Sequence, residues 1–411
     1  MSIHVVNEAK RCLNCKRPLC KEGCPISTPI PEMIQTFLNA ELDGAGEMIF
    51  DNNPLSIVCS LICDHDKQCE GHCILGKKGV PVHISSIEHY ISDTYFDKRK
   101  ARRNPAKGKK AAVIGSGPAG ITIAIILAKR GYDITIFDSK EKIGGVLRYG
   151  IPEFRLPKTI LDRYHKKLME FGIKIRPNTS IGGALEIDDL FRDGYRAIFV
   201  GTGVWRPRKL GVKGESFGNV HFAIDYLCNP DSYQLGERVA VIGAGNAAMD
   251  VARTALRKGV KHVTVYERSF KAAASPREIE YAKVDGVEFE YCKEIVELTE
   301  TGPVFKAIEY DENGDIAAIS DTTTHYPADS TIVAISQGPK NKIVSTTTGL
   351  EVNSRGLLVA NEKGQTTREG IFASGDVVQG ARTVVEAVAH SKVVADAMDE
   401  YMQSLEAEQL K

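Results

Sequence analysis

The chain of 411 residues is too long for a single hydrophobic core, so its length predicts two or three domains. Lys plus Arg and Asp plus Glu each number 53, which excludes a general electrostatic attraction to nucleic acid or anionic lipid. The N-terminal segment has no apolar signal-peptide core, and no apolar run reaches the length of a membrane-spanning helix. We therefore expect a soluble cytoplasmic protein, in which stable disulfides are rare.

Eight of the ten cysteines lie between Cys12 and Cys73, in two blocks. The first block, CLNCKRPLCKEGCP, has the spacing C-x2-C-x4-C-x3-C and ends with proline, whereas the second, CSLICDHDKQCEGHC, has no C-x2-C pair. Zinc modules usually repeat a C-x2-C half-site, and closely spaced cysteines followed by Cys-Pro are typical of iron–sulfur ligation. The spacing favours two [4Fe–4S] clusters, with zinc or unliganded thiols as the alternatives.

The residues between and after these blocks predict a small helical domain. The segment STPIPEMIQTFLNAEL places four apolar residues at helical spacing, and we expect them to pack in a core: Met33, Ile34, Phe37 and Leu38. Two histidines of the second block, His65 and His72, are expected to be solvated loop residues rather than metal ligands. The basic, turn-rich segment DKRKARRNPAKGKK that follows is expected to be a solvated connector, with a docking site for an acidic partner as the alternative.

The character of the chain then changes to α/β. The segment KKAAVIGSGPAGITIAIILAKRGYDITIFDS predicts a strand, a glycine turn, a helix and a second strand. Gly115, Gly117 and Gly120 form the G-x-G-x-x-G pattern, and Asp138 closes the second strand. The glycines allow a tight turn, close approach of a pyrophosphate and close packing of helix on strand, while the acid accepts hydrogen bonds from ribose. This segment therefore predicts a dinucleotide site.

The same pattern recurs in ERVAVIGAGNAAMDVARTALRKGVKHVTVYERS. Gly243, Gly245 and Ala248 occupy the positions of the three glycines, and Glu267 closes the second strand. Two such units in one chain imply two dinucleotides, and the usual pair is a bound flavin and a diffusing nicotinamide.

Near the C-terminus, GIFASGDVVQGARTVVEAV places Gly375 and Asp376 between a short strand and a helix. An acid at this place suits the ribityl or pyrophosphate end of FAD, and a simple helix cap is the alternative. We predict an α/β fold in which an NAD(P)H domain is inserted in an FAD domain, both Rossmann-like, after an α-helical two-cluster domain. The expected boundaries are 1–108 for the iron–sulfur domain, 109–222 and 331–411 for the FAD domain, and 223–330 for the NAD(P)H domain.

Motifs spread over nearly the whole chain carry a family resemblance: CLNCKRPLCKEGCP, NPL, GSGPAG, GGVLRYGIPEFRLPK, GAGNAAMD and FASGDVV. In these motifs the sequence resembles the small subunit of glutamate synthase and the N-terminal half of dihydropyrimidine dehydrogenase. The resemblance implies an oxidoreductase that passes electrons from NAD(P)H through FAD and two [4Fe–4S] clusters to a separate catalytic subunit or domain. We therefore expect a larger oxidoreductase subunit as the partner, and neither nucleic acid nor membrane.

The resemblance also implies a crossed arrangement of cluster ligands. One cluster would be held by Cys12, Cys15, Cys20 and Cys73. The other would be held by Cys24, Cys63, Cys69 and Glu88, which leaves Cys59 as a spare thiol. The competing interpretation assigns all eight cysteines to the two clusters. The sequence departs from the family at Asp64, where proline often follows the cysteine, and this changes the local turn without removing a ligand.

Carried over position by position, the resemblance implies the residues that bind the two nucleotides. For FAD they are Gly115, Ser116, Gly117, Pro118, Ala119, Gly120, Asp138, Gly144, Gly145, Val146, Leu147, Arg155, Ile181, Gly375, Asp376 and Thr383. For the nicotinamide nucleotide they are Gly243, Ala244, Gly245, Asn246, Ala247, Glu267, Arg268 and Ser336. Arg155 is expected to neutralise flavin or phosphate charge, unless it is an ordinary surface arginine. Ser336 stands where the family commonly has glycine.

The choice between NADH and NADPH depends on the residues after the second strand of the second unit. A basic pair commonly grips the 2′-phosphate in NADPH-using relatives, whereas this chain has Glu267 and Arg268. A carboxylate at this place binds the 2′-hydroxyl of NADH and repels the phosphate. Arg268 and Lys271 favour NADPH instead. We expect NADH to be preferred, with NADPH as the alternative.

Three functions are considered for a chain with two nucleotide sites: an electron-input subunit, a stand-alone reductase and an iron–sulfur sensor. No acid–base pair is expected for an electron-input subunit, because hydride passes directly from nicotinamide to flavin. A stand-alone NAD(P)H:acceptor reductase, acting on ferredoxin or a disulfide, is the alternative. A disulfide reductase needs two neighbouring cysteines beside the flavin, and Cys228 and Cys292 are isolated in sequence. An iron–sulfur sensor has no use for two nucleotide sites. We favour the electron-input subunit.

Overall fold

The protein is described by a computed structural model that covers residues 2–409. The chain divides into two compact units, each of which is described by itself. Unit 1 comprises Met1–Leu147, Glu153–Val204 and Pro339–Lys411, and unit 2 comprises Arg148–Pro152 and Trp205–Gly338. Among the helices within residues 2–409, none is both long enough and apolar enough to cross a membrane.

Unit 1 begins with a helical segment. Its helices are α1 (Ser2–Ala9), α2 (Leu19–Glu22), α3 (Ile30–Leu38), α4 (Leu42–Asn52), α5 (Ser56–Ile62) and α6 (Ile84–Phe96), with a 3-10 turn at Ile74–Lys77. The predicted core packing of α3 is confirmed, because Met33, Ile34 and Phe37 are buried and Leu38 is partly buried. Cys69 is buried in the same apolar cluster, so the core reaches the cysteine blocks.

The chain then alternates between strands and helices. The elements are β1 (Lys110–Ile114), α7 (Pro118–Lys129), β2 (Asp133–Phe137), α8 (Val146–Tyr149), α9 (Lys158–Glu170), β3 (Lys174–Arg176), α10 (Ile187–Arg192) and β4 (Tyr195–Val200). Strand β1 pairs in parallel with β2 and β4, and Ala112 lies opposite Thr135 and Ile198. Apart from their first residues, β1 and β2 are buried throughout, as in parallel sheets covered on both faces.

Unit 2 repeats the alternation. Its elements are β5 (Arg206–Pro207), β6 (Val220–Phe222), α11 (Ala223–Cys228), a 3-10 turn (Pro230–Ser232), β7 (Arg238–Ile242), α12 (Asn246–Arg257), β8 (His262–Tyr266), α13 (Pro276–Asp285), β9 (Glu288–Glu290), β10 (Lys293–Thr299), β11 (Gly302–Tyr310), β12 (Ile316–His325), β13 (Ser330–Val333) and β14 (Gln337–Gly338). A five-stranded parallel sheet has the order β6-β13-β7-β8-β9, and β10, β11 and β12 form an antiparallel sheet.

The last part of the chain completes the sheet of unit 1. It contains α14 (Lys342–Ser345), β15 (Ile371–Ala373), α15 (Asp376–Gln379) and α16 (Val384–Gln409). Strand β15 pairs in parallel with β4, which gives the order β15-β4-β1-β2-β3. Because these strands are parallel, the carboxyl ends of β1, β2 and β15 meet at one edge of the sheet. The residues that follow those three strands are therefore brought to one place.

The helical segment packs directly on α9 within unit 1. The hydroxyl of the buried Tyr164 donates a hydrogen bond to the carbonyl of Pro54 at 2.8 Å. The Tyr164 ring lies 4.6 Å from the ring of Phe96, between centroids, and Arg163 bonds the carboxylate of Asp93 at 2.5 Å. The cysteine blocks thus belong to the same compact unit as the first glycine turn.

Most of the basic segment 97–110 is exposed, as expected of a solvated connector, but Arg99 is buried and Arg103 is bonded to the rest of unit 1. Arg99 is only 6% exposed, and its carbonyl accepts a hydrogen bond from the Lys167 ammonium at 2.6 Å. The Arg103 guanidinium donates to the carbonyl of Tyr132 at 2.9 Å. The physical reason is that long basic side chains bury their aliphatic stems while their heads find carbonyl groups, which charge counting does not reveal.

Candidate functional site

The turn between β1 and α7 has the geometry expected of a dinucleotide loop. Gly115 has a φ of 100°, a conformation that favours glycine. A Cβ atom at Gly120 would lie 1.9 Å from the carbonyl oxygen of Gly115, so any side chain there collides with the backbone. By contrast, a Cβ at Gly117 would meet only the Cα of Gly145, at 3.9 Å. The third glycine therefore serves helix–strand packing, whereas a side chain at the second would first meet only the loop of Gly145.

Asp138 lies at the end of β2 and holds the glycine turn. Its carboxylate accepts hydrogen bonds from the backbone N–H of Ser116 at 2.7 Å and from the Ser116 hydroxyl at 2.5 Å. The second carboxylate oxygen accepts from the N–H of Lys140 at 2.8 Å. The N–H of Gly144 donates in turn to the carbonyl of Ser116 at 3.0 Å. The acid predicted from sequence is thus placed beside the turn, where it also orders the loop that carries Gly144.

Two further predicted segments reach this turn. A Cβ at Gly145 would lie 2.8 Å from the Cα of Gly117, so the loop after β2 passes directly over the turn. A Cβ at Gly375 would lie 3.3 Å from the Cβ of Ala119, so the segment after β15 reaches the first turn of α7. The structure therefore brings together three segments that are separated by up to about 260 residues. Together they form a cradle at the carboxyl edge of the sheet.

Asp376 and Thr383 follow β15. The backbone N–H of Arg382 donates to Asp376 at 3.2 Å, and burial raises the pKa of Asp376 to about 6. The Thr383 hydroxyl donates to the carboxylate of Glu386 at 2.5 Å and accepts from the N–H of Glu386, which is a reciprocal cap at the start of α16. Thr383 therefore has a structural role as a helix cap, whatever else it binds.

The remaining positions predicted for FAD differ in their surroundings. Val146 and Leu147 begin α8, and Leu147 is buried. Pro118 is the first residue of α7, where its missing N–H costs nothing. Ile181 is only 3% exposed and packs in the apolar core under the sheet, so only its backbone can face a ligand. Arg155 lies partly buried in the loop before α9.

Unit 2 has a second turn built in the same way. Gly243 has a φ of 102°, and Ala248, at the third position, is completely buried. The carboxylate of Glu267 accepts hydrogen bonds from the N–H of Ala244 at 2.9 Å and from the N–H of Ser269 at 3.1 Å. This repeats the bonds of Asp138 to its own turn. A Cβ at Gly245 would meet no atom within 4 Å, so the front of α12 is open.

The two cationic side chains nearest to Glu267 in sequence, Arg268 and Lys271, both contact groups outside the glycine turn. The Arg268 guanidinium forms an ion pair with the carboxylate of Glu294. The ammonium of Lys271 lies over the ring of Phe270, at 5.7 Å from its centroid. Glu267 is therefore the charged side chain that directly bonds the glycine turn, while both nearby cations are engaged with other groups.

Asn246 and Ala247 begin α12. The Asn246 side-chain oxygen accepts a hydrogen bond from the N–H of Ser275 at 2.9 Å, which links the turn to the start of α13. Ala247 follows in the same first turn of the helix.

Ser336 follows β13 with a φ of 88°, in the left-handed region that L residues rarely adopt. Its side chain is exposed, and its carbonyl accepts a hydrogen bond from the N–H of Arg208 at 3.2 Å. This conformation is the physical reason why a glycine suits the position.

Four cysteines line a single cavity in the helical segment: Cys12, Cys15, Cys20 and Cys73. They are the four that the resemblance assigns to one cluster, although Cys73 lies far from the others in sequence. Apolar side chains complete the lining, among them Ile30 and Ile34 of α3. Burial raises the pKa of Cys12, and that of Cys20 to about 11. Four thiols around one cavity fit an iron–sulfur cluster, whose iron stabilises the thiolates that burial disfavours.

A second group contains thiols and a carboxylate. A hydrogen bond with Cys59 and burial, followed by the charges of Glu88 and Cys69, raise the pKa of Cys63. Burial and the charges of Glu88, Glu70 and Cys24 likewise raise the pKa of Cys69. Burial, and then Glu70, raise the pKa of Glu88 to about 8. These thiols and the buried acid lie near one another, and each would be stabilised in its charged form by the iron of a cluster. Cys59, which is hydrogen-bonded to Cys63, belongs to the same group.

Two residues of this region were missed at the level of sequence. His65 was predicted to be solvated, which was wrong: it is buried, and its Nδ1 lies 3.5 Å from the sulfur of Cys69. Its Nε2 lies 3.1 Å from the carbonyl oxygen of Ser60, so both ring nitrogens are engaged by the fold. Glu70 is also buried, and it accepts hydrogen bonds from the N–H and the hydroxyl of Ser85 at the start of α6. Neither role has a signal in the spacing of the cysteines.

All ten cysteines lie within the described residues and are free thiols. Residues 109–391 match the family of pyridine nucleotide-disulphide oxidoreductases, as do residues 75–189. The chain belongs to this family. Residues 2–100 match a further family, dihydropyrimidine dehydrogenase domain II, 4Fe-4S cluster. This pyridine nucleotide-disulphide oxidoreductase therefore carries a 4Fe-4S domain at its N-terminus, as its resemblance predicts.

Individual relatives support this family assignment. The chain is 33% identical to the small chain of glutamate synthase [NADPH] of Escherichia coli, over 96% of this chain and 91% of that protein. It is 29% identical to the NAD-dependent dihydropyrimidine dehydrogenase subunit PreT of Salmonella typhimurium, over 97% and 94%. FprA of Mycobacterium tuberculosis, solved with NADPH, shares the fold, with a TM-score of 0.60 over 74% of this chain and 86% of that one, at 18% identity.

Membership of the pyridine nucleotide-disulphide oxidoreductases and the N-terminal match together confirm the predicted cofactors. They imply FAD, a nicotinamide nucleotide and 4Fe-4S chemistry in one oxidoreductase. The predicted resemblance to glutamate synthase small subunits and to dihydropyrimidine dehydrogenase is confirmed as well.

Proposed function

We propose that this chain is the electron-input subunit of a larger oxidoreductase. It takes reducing equivalents from NAD(P)H, with NADH favoured, and delivers electrons to a catalytic subunit. The observation that carries the proposal is the presence in one chain of two acid-braced glycine turns and a cavity lined by four thiols. A stand-alone reductase needs only the first two of these features.

Each of the two glycine turns is assigned one nucleotide. We propose that unit 1 binds FAD at the cradle formed by Gly115–Gly120, Asp138, Gly144–Leu147, Gly375 and Asp376, with Arg155, Ile181 and Thr383 at its margins. We propose that the NAD(P)H domain, predicted as residues 223–330 and extended by the strands β6 and β13 of the same sheet, is inserted between the two parts of the FAD domain, predicted as 109–222 and 331–411, after an iron–sulfur domain of residues 1–108. The return of β15 to the sheet of β1 supports this insertion.

The protein groups of the first cradle bind and orient the nucleotide. The N–H groups at the start of α7, beside Gly117 and Gly145, would favour a pyrophosphate through the helix dipole. The second turn repeats this arrangement with Gly243, Gly245, Asn246 and Ala247, next to Glu267, Arg268 and Ser336. When bound, FAD supplies hydride acceptance from the nicotinamide, and iron–sulfur clusters supply one-electron transfer.

For the clusters we propose the crossed ligand sets. Cys12, Cys15, Cys20 and Cys73 would hold one cluster, and the shared cavity supports this set. Cys24, Cys63, Cys69 and Glu88 would hold the other. The proximity of Glu88 to both Cys63 and Cys69 supports this set, while the hydrogen bond between Cys59 and Cys63 keeps Cys59 as the competing ligand. Cys69 is buried, the other proposed ligand thiols are partly buried, and apolar side chains pack around several of them. We propose a cytoplasmic location, with which ten described cysteines that form no disulfide agree.

The proposed partner is a larger catalytic subunit of the oxidoreductase. Relatives named as a glutamate synthase small chain and as a dihydropyrimidine dehydrogenase subunit support it, because both names describe parts of larger enzymes. The substrate chemistry would belong to that partner, so glutamate synthesis and pyrimidine reduction are both open to this chain.

Cofactor content and isolated activity test the proposal. Protein purified without oxygen should contain one FAD and about eight iron and eight sulfide per chain, because two [4Fe–4S] sites are proposed. NAD(P)H should bleach its visible absorbance and drive reduction of a viologen by this chain alone. Neither 2-oxoglutarate with glutamine nor uracil should be converted without a partner subunit.

Two results would contradict the proposed two-cluster electron-input subunit. Four iron per chain after careful reconstitution is incompatible with two clusters. Conversion of either substrate set by the isolated chain is incompatible with an input subunit, because it places the substrate site here.

The second prediction concerns nucleotide preference. Since the Glu267 carboxylate braces the turn and Arg268 is paired with Glu294, we expect kcat/KM to be higher for NADH than for NADPH. Glu267→Arg should move the ratio of the two constants toward NADPH by about tenfold or more, because it replaces a repelling charge by a phosphate ligand. The measurement is the anaerobic reduction of the flavin by each nucleotide, which needs no partner.

Glu288→Arg is the matched control. Glu288 is an exposed glutamate on the neighbouring strand β9, so this variant has the same change of charge without touching the turn. It should leave the ratio nearly unchanged. A wild type that already prefers NADPH refutes the predicted preference, and an equal response of both variants refutes its local cause.

A further inference from the structure

An exposed apolar patch lies beside the cavity of Cys12, Cys15, Cys20 and Cys73. Leu13 and Ile74 line that cavity, yet they are 59% and 45% exposed. Val80 is 58% exposed, and its carbonyl accepts a hydrogen bond at 2.5 Å from Arg11, the residue before Cys12. Exposed large aliphatic residues that cluster at one place mark interaction sites more often than singly scattered ones.

The residues around this patch are strongly basic. Residues 10–24 and 73–80 contain one acidic residue, Glu22, and seven basic ones: Lys10, Arg11, Lys16, Arg17, Lys21, Lys77 and Lys78. The chain as a whole has equal numbers of acidic and basic residues, so the charge is concentrated here. Lys10, Lys16, Lys77 and Lys78 are all exposed. We call the three apolar residues and these four lysines the basic face.

The two ligand sets differ in what surrounds them. The second set borders the α/β part of unit 1. Cys24 is hydrogen-bonded to Thr28, Thr28 accepts a hydrogen bond from the Asn52 amide, and the Asn52 side-chain oxygen accepts one from Lys392 of α16 at 2.8 Å. The cavity of the first set is lined entirely by residues of the helical segment, from Cys12 to Ile84. The first set is therefore the one whose apolar surroundings reach the basic face.

We propose that the basic face is the docking surface for an acidic redox protein, the subunit that receives the electrons. This inference rests on the proposed function. A basic rim raises the rate of encounter with an acidic surface, and an apolar centre excludes water once the proteins meet. Because electron transfer slows steeply with distance, an acceptor must approach where a cluster lies close to the surface. Three clustered aliphatic side chains exposed to water are unfavourable unless a partner covers them, which a face that only contacts solvent does not explain.

The test uses a plant-type ferredoxin, an acidic [2Fe–2S] protein, as the probe. The variant Lys16→Glu/Lys77→Glu/Lys78→Glu reverses three charges of the basic face. The variant Lys98→Glu/Lys100→Glu/Arg102→Glu reverses three exposed charges of the same unit elsewhere and is the matched control. Calorimetry gives the dissociation constant at low and high salt. Carbodiimide cross-linking, followed by mass spectrometry, gives the lysines that touch ferredoxin carboxylates.

We expect ferredoxin to bind wild type and the control variant with similar, salt-sensitive affinity, and to cross-link at Lys16, Lys77 or Lys78. The basic-face variant should bind about tenfold more weakly or worse and should gain affinity for the basic protein cytochrome c. Both variants should retain iron, flavin and reduction by NAD(P)H.

Three results would refute the docking surface without affecting the proposed function. They are equal weakening of ferredoxin binding in both variants, no weakening in either variant, or ferredoxin cross-links only at lysines outside the basic face. Tighter binding of wild type to phosphatidylglycerol vesicles than to ferredoxin would assign the basic face to a lipid surface instead. A wild type that NAD(P)H fails to reduce overturns the proposed function itself, and the binding data do not depend on that result.

Discussion

Gly120→Ala is expected to yield a protein that has lost its FAD and unfolds at a lower temperature. The added Cβ would lie 1.9 Å from the carbonyl oxygen of Gly115, a backbone atom that cannot move without separating α7 from β1. Overpacking of this kind costs about 1–3 kcal/mol or more, which lowers Tm by roughly 6–12 °C at the upper end. Flavin absorbance per chain and thermal unfolding measure the two effects.

The matched control is Gly245→Ala in the second turn. There the Cβ meets no protein atom within 4 Å, and the backbone of Gly245 has an ordinary negative φ of −83°. We expect unchanged Tm and flavin content, with a KM for the nicotinamide nucleotide raised by about tenfold, because the methyl group enters the space needed by the pyrophosphate. Loss of flavin in this variant, or its retention in Gly120→Ala, contradicts the assignment of the two turns.

Cys73→Ser is expected to remove one whole cluster, so that iron falls from about eight to about four per chain. Cys73 lies in the second cysteine block, but it lines the cavity of the three cysteines of the first block. The remaining cluster should keep its electron paramagnetic resonance signal after reduction. Reduction of the flavin by NAD(P)H should persist, because the nucleotide turns do not involve this residue.

Cys59→Ser and Glu88→Ala decide which group completes the other cluster. Cys59→Ser should leave iron and both spectra unchanged, whereas Glu88→Ala should alter the spectrum of the cluster held by Cys24, Cys63 and Cys69. If Cys59→Ser removes a cluster, Cys59 is the ligand and the crossed set with Glu88 is wrong. If Cys73→Ser alters the same cluster as Glu88→Ala, the cavity of the first set is not a separate cluster site.

The sequence alone determined the two glycine turns that are proposed to bind nucleotides. Gly115, Gly120, Asp138, Gly243 and Glu267 all occupy the places that spacing predicts, at the ends of neighbouring strands. This succeeds because a strand, its turn and the next strand are local in sequence, and glycine and acid have few other ways to satisfy that geometry. The helix of Met33, Ile34 and Phe37 was predicted for the same reason, since its periodicity is local.

Only the tertiary structure decided which distant residues meet. Spacing by itself left the cysteines unassigned, and the cavity joins Cys73 to Cys12 only because α3 and the segment before α6 pack on both blocks. Gly375 reaches Ala119 because β15 pairs with β4, a contact between residues far apart in the chain. Such contacts depend on packing and loop closure, which no local pattern of residues records.

The errors of prediction have the same physical origin. His65 was expected to be a solvated loop residue, and Arg99 belongs to the segment expected to be a solvated connector, yet the fold buries both side chains. Whether a polar side chain is buried depends on the partners that tertiary packing brings to it, here the carbonyl of Ser60 and the sulfur of Cys69 for His65. The sequence thus shows which chemical groups the protein has, and tertiary packing decides which of them are buried and which partners they contact.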